Sequence, residues 1–102
     1  GETAKAEEAL SRAVKMDRRQ WPAMLELAQI SYDRGDYAPA TRYYEQFRRL
    51  APRQTPRSLV LGIRLDRLAG DRDAEASYSL QLKSMYPDSV EYREFSRTPS
   101  ER

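Results

Sequence analysis

The chain contains no cysteine and no histidine. Without cysteine there is neither a disulfide framework nor a thiolate metal site. Without either residue, the commonest general base and the strongest side-chain nucleophile are both missing. Glycine is scarce too. Its four copies, at Gly1, Gly35, Gly62 and Gly70, are too scattered for a phosphate-cradling loop. No run approaches the roughly 18 apolar residues of a membrane-spanning helix. No signal peptide is visible, and the opening Gly1 reads as the start of an excised or processed segment whose targeting sequence lies upstream.

Charge of one sign is also lacking. Eighteen Lys and Arg face 16 Asp and Glu, a net charge of +2, too small to argue for nucleic acid or an anionic membrane. Arg48, Arg49, Arg53 and Arg57 do cluster, but between two expected helices, where a solvated turn accounts for them. The carboxylate pairs Asp71/Asp73 and Glu7/Glu8 read as a helix cap and a wet helix face. The seven tyrosines follow helical spacing, with no basic stripe beside them to make a platform for bases. These absences leave no expected catalytic residue, metal site or cofactor, and the chain is read as a non-enzyme.

What is present is a repeat. Leu27-Ala28, Tyr32, Gly35-Asp36-Tyr37, Ala40, Tyr44 and Pro52 follow the tetratricopeptide-repeat (TPR) signature, whose period is 34 residues. One period back, Ala40 and Tyr44 fall on Ala6 and Leu10. One period forward, they fall on Ala74 and Tyr78, and Leu27-Ala28 falls on Leu61-Gly62. Gly70-Asp71 and Pro87 each arrive one residue late, slips that turns can absorb. Small residues at Ala28, Gly62, Ala6, Ala40 and Ala74 let helix backbones approach, while Leu27, Leu61, Leu10, Tyr44 and Tyr78 fill the grooves. The expected fold is therefore all-α: a TPR right-handed superhelix of antiparallel helix pairs, closed by a capping helix.

Local signals agree. Thr55-Pro56 is a cap followed by proline at the first helical position. Asp36 stands ready to cap the next helix, Gly35 and Gly70 end the helices before them, and Asp88-Ser89-Val90-Glu91 reads as a capping box. Helices are expected near 3–17, 21–34, 37–50, 56–69, 72–86 and 89–96. As one TPR domain fragment over 1–102, the chain divides into a helix of a truncated repeat at 3–17, repeats at 21–54 and 55–87, a capping helix at 88–96 and a frayed tail at 97–102. The final helix, wet on one face, reads as the C-terminal end of a longer array. The opening helix lacks its own repeat partner, so Ala6, Leu10, Ala13 and Val14 are expected to be covered by self-association, or else to fray.

In TPR solenoids the first helix of each pair lines a concave groove. Here that face offers Leu25, Gln29 and Tyr32 from one unit and Leu59, Ile63 and Asp66 from the next. These residues either anchor a peptide through exposed apolar groups or merely support neighbouring helices. The Lys and Asn carboxylate clamp of co-chaperone TPR domains is absent from these positions.

One stretch is more specific. The segment from Arg57 to Leu65, then Asp71-Arg72-Asp73, Ala76-Ser77-Tyr78, Leu80-Gln81-Leu82-Lys83, Tyr86-Pro87, Glu91-Tyr92 and Glu94-Phe95, with Tyr37-Ala38-Pro39-Ala40 and Arg42-Tyr43-Tyr44, resembles the type IV pilus biogenesis and stability proteins of the PilF/PilW pilotin family. The resemblance runs from about Trp21 to Phe95. It implies an outer-membrane lipoprotein on the periplasmic face, built from about six TPRs, whose partner is the pilus secretin. Such a protein would support the secretin's localisation and multimerisation, touching the membrane only through an N-terminal lipid anchor absent here. The rival reading is a TPR adaptor of another envelope or cytoplasmic complex.

Overall fold

The computed structural model describes residues 2–16 and 20–97, without the side chains of Val14 and Met16. The described residues form α1 (Glu2–Met16), α2 (Trp21–Arg34), α3 (Tyr37–Leu50), α4 (Pro56–Ala69), α5 (Arg72–Met85) and α6 (Val90–Arg97). Each end lies within one residue of the sequence expectation, and α2, α3 and α4 match it at both ends. Residue 17 and the tail from 98 lie outside the described residues. The chain forms two compact units, Gly1–Arg53 and Gln54–Arg102.

In the first unit α2 packs against both α3 and α1. Leu27, Ala28 and Ala40 are wholly buried and Tyr44 nearly so, the small-and-large pairing the repeat requires. Phe47 is also wholly buried, and its ring lies 5.8 Å from that of Trp21, an edge-on pairing that closes the open end of the hairpin. On α1, Ala6 is exposed and Leu10 and Ala13 are half-buried. Val14 belongs to the same stripe, but its side chain lies outside the described residues.

In the second unit α4 packs against α5 and also receives α6. Leu61, Gly62, Tyr78 and Leu82 are buried. Ala74 is only half-buried, less than its alignment with Ala40 implies. The reason is the late glycine: α5 starts 35 residues after α3, so Ala74 sits one position nearer the helix start, in the exposed first turn.

The turns after α2 and α4 are built alike. Gly35 and Gly70 adopt left-handed φ values of 88° and 77°. Asp36 N–H then reaches Ser31 O at 2.8 Å, and Asp71 N–H reaches Asp66 O at 2.9 Å, the Schellman closure that absorbs orphan carbonyls. The caps differ from one helix to the next. Thr55 Oγ1 accepts from Ser58 N–H at 3.1 Å, while Ser58 Oγ accepts from Thr55 N–H at 2.7 Å, a reciprocal capping box. Asp71 caps α5 by accepting from Ala74 N–H at 3.1 Å. Asp36 holds the N-cap position of α3, but its side chain makes no cap hydrogen bond, which corrects its expected role. The box expected from Asp88 is also corrected: Ser89 is the cap of α6, accepting from Tyr92 N–H at 3.0 Å.

Candidate protein-binding surface

The six groove positions fare differently. Leu59 and Ile63 are 0% and 1% exposed and Leu25 is 6% exposed, so these three side chains belong to the core and offer no apolar anchor. The expectation of exposed Leu and Ile at these positions is corrected. The cause is the number of neighbours. A single hairpin buries one face of each helix, but α2 carries both α1 and α3, and α4 carries both α5 and α6. On α4 the buried positions 58, 59, 61, 62, 63 and 65 sweep more than half of the helix circumference. The face through Arg57, Val60, Arg64 and Leu68 is left to solvent or half open, and Asp66 is half-buried.

Gln29, Tyr32 and Asp66 remain half-buried and reach the surface. Asp66 stands in the second unit. Gln29 and Tyr32 lie on the last two turns of α2 in the first, and their surroundings are well defined. Gln29 Nε2 donates to Asp33 Oδ1 at 2.9 Å, one turn further along the helix. The ring of Tyr32 lies 5.5 Å from that of Tyr37, the planes tilted by 56°, and Tyr37 is 45% exposed. The left-handed Gly35 makes this contact possible by folding α3 back so that its first residue returns to the last turn of α2.

Arg34, between the two tyrosines in sequence, donates from Nη2 to Glu7 Oε1 on α1 at 2.6 Å, and its Nη1 lies 4.0 Å from Asp36. The hydrogen bond to Glu7, followed by that carboxylate's charge, raises the guanidinium's pKa above its ordinary value. The arrangement is therefore a half-buried Tyr32 against an exposed Tyr37, with the polar contacts Gln29–Asp33 and Glu7–Arg34–Asp36 formed from the same end of α2. Among the described residues no group of three His, Cys, Asp or Glu is placed to hold a metal ion, and no helix is long and apolar enough to cross a membrane. The groups present can take part in ring contacts, hydrogen bonding and charge pairing.

Sequence reasoning overlooked Tyr37 and Asp33. Both were legible in principle, since Asp33 stands four residues after Gln29 and Tyr37 follows the Gly-Asp turn. A face read from one helix alone omits a residue delivered by the next.

No family model matches the chain. It is 45% identical over 92 residues to the type IV pilus assembly protein PilF of Pseudomonas aeruginosa, a match covering 90% of this chain and 36% of that protein. The solved structure of P. aeruginosa PilF superimposes with a TM-score of 0.88 at 43% identity, covering 93% of this chain and 42% of that one. The crystal structure of PilW, described as a widely conserved type IV pilus biogenesis factor, superimposes with a TM-score of 0.79 at 25% identity, covering 94% and 44%. The chain thus spans little more than a third of its curated relative. Over that span its sequence and its helix pairs make it a homologue of the TPR-containing type IV pilus biogenesis proteins PilF and PilW.

Proposed function

We propose that the chain is part of a non-catalytic protein-binding scaffold of the type IV pilus machinery, acting at the periplasmic face of the outer membrane. In this reading it supports the localisation and multimerisation of the pilus secretin, and its parent protein is tethered by an N-terminal lipid outside this chain. The observation that carries the reading is the 45% identity to PilF across 90% of the chain, far more than a shared helical repeat demands. The sequence adds that histidine and cysteine are both missing, which suits a holder of proteins. Division into one truncated and two complete repeats with a terminal cap belongs to the same proposal.

The test is a photo-cross-linking amino acid at Gln29, and separately at Asp66, in the protein expressed from its own gene. Capture of the secretin subunit from the envelope fraction is the expected result. Capture of other proteins only, with the secretin multimers unchanged when the gene is deleted, would leave a different envelope adaptor as the function.

A further inference from the structure

The turn between α2 and α3 holds groups that the fold engages only in part. Tyr37 keeps 45% of its surface in water although its ring already meets Tyr32 at 5.5 Å. Asp36 occupies a position where a carboxylate ordinarily caps the helix, yet it makes no cap bond. Its counterpart Asp71, in the same turn of the second unit, does cap. Asp33 accepts from Gln29 with one oxygen and retains acceptor capacity on the other.

Among the described contacts here, Glu7, Asp33 and Asp36 bring three carboxylates to one guanidinium, that of Arg34, in a chain whose net charge is +2. Aromatic faces carry negative quadrupole potential, so rings and carboxylates attract the same kind of ligand. An anion is repelled by both. An uncharged apolar group would use the rings but strip water from the carboxylates without repaying them.

From this geometry we propose that the α2–α3 turn is a docking point for a lysine or arginine carried on a basic segment of a protein partner, the cation lying over the Tyr32–Tyr37 pair between Asp33 and Asp36. The inference rests on the reading that the chain holds a protein, and it adds the charge of what is held. It is specific to the first unit, because Arg72 replaces Tyr37 at the equivalent place, removing the ring and adding a positive charge.

The probe is N-acetyl-arginine amide titrated into the isotopically labelled chain and followed by amide chemical shifts, with N-acetyl-citrulline amide as its neutral counterpart. Saturable shifts concentrated on residues 32–37 are expected with arginine, at least about fivefold weaker with citrulline, and reduced by salt. Tyr37→Ala should weaken the apparent affinity about two- to fivefold, the range for an exposed cation–π contact. Asp33→Asn with Asp36→Asn should weaken it further and remove the salt dependence. Tyr37→Leu, read beside circular dichroism, keeps the test valid if the alanine variant loses its fold. Equal shifts from citrulline, shifts spread evenly over the acidic residues of α1 and α5, or no shift at all would overturn the proposal. If a cross-linker at Gln29 captures the secretin while the turn takes no arginine, the scaffold reading stands and this one falls. Arginine binding without any captured protein gives the reverse.

Discussion

The phenol of Tyr86 donates a 2.6 Å hydrogen bond to the backbone carbonyl of Gln54, joining the residue that ends α5 to the one that precedes the Thr55 cap of α4. The first unit closes the same end of its hairpin differently, by a tilted contact between the rings of Trp21 and Phe47. The second unit has no aromatic ring at either corresponding place: Thr55 stands for Trp21, and Leu82 fills the buried position of Phe47. A polar tie replaces an aromatic one, and Tyr86 leaves the helix one residue early, at φ −134° and ψ 53°, where its side chain meets Gln54.

Tyr86→Phe removes that donor and leaves the Gln54 carbonyl to water. A loss of about 0.5–1.5 kcal/mol is expected, the net worth of one hydrogen bond. It should be read as a lower denaturant midpoint at unchanged slope. An unaltered midpoint would mean that the bond is exchanged for water without cost.

Ala40 and Ala74 provide a paired test of packing. Ala40 is wholly buried between α2 and α3 whereas Ala74 lies half-open in the first turn of α5. Ala40→Leu should overpack the contact and cost about 1–3 kcal/mol. Ala74→Leu should cost clearly less. Equal costs in thermal unfolding would contradict the displacement of α5 by one residue.

These residues also show what could be read without a structure. The spacing of small residues is dictated by how closely two helices must approach, so Ala28, Ala40 and Gly62 were legible from period alone. Which carboxylate or hydroxyl caps a helix depends on the side-chain rotamer it adopts, which periodicity does not encode, so neither the uncapped Asp36 nor the Ser89 cap of α6 is legible from spacing. The groove failed for another reason. Helical periodicity marks one apolar face, and cannot say that α4 receives α6 as well as α5 and buries Leu59 and Ile63 on the remaining side.

Gly35 and Gly70 have open space where a Cβ would stand, so a substitution there meets no clash and its cost is purely that of the backbone. With φ at 88° and 77°, Gly35→Ala and Gly70→Ala should each cost about 1–2 kcal/mol, and Gly→Asn less at either site. Should alanine prove as stable as glycine, the Schellman turns must have relaxed to another closure, visible as loss of hydrogen-exchange protection at Asp36 or Asp71.

Leu59 and Ile63 decide how a binding experiment on this protein must be designed. Both are buried, at 0% and 1% exposure, and a carboxylate at either place would lose the apolar contact and bury an unpaired charge. Each Asp substitution should cost on the order of 4 kcal/mol, a large share of the roughly 5–15 kcal/mol that holds a small domain together. The Leu59→Asp, Ile63→Asp double variant is therefore expected to unfold the second unit, with loss of helical circular dichroism and of the Tyr86–Gln54 tie. Loss of secretin multimers in cells carrying that variant would report misfolding and carry no information about the partner. Gln29→Ala and Tyr37→Ala remove surface groups instead and should leave circular dichroism unchanged, so any fall in partner capture from them reports contact. If the double aspartate variant instead keeps its helical signal and thermal midpoint, the two side chains have reached water, and the apolar groove first read from the spacing of α4 would be restored.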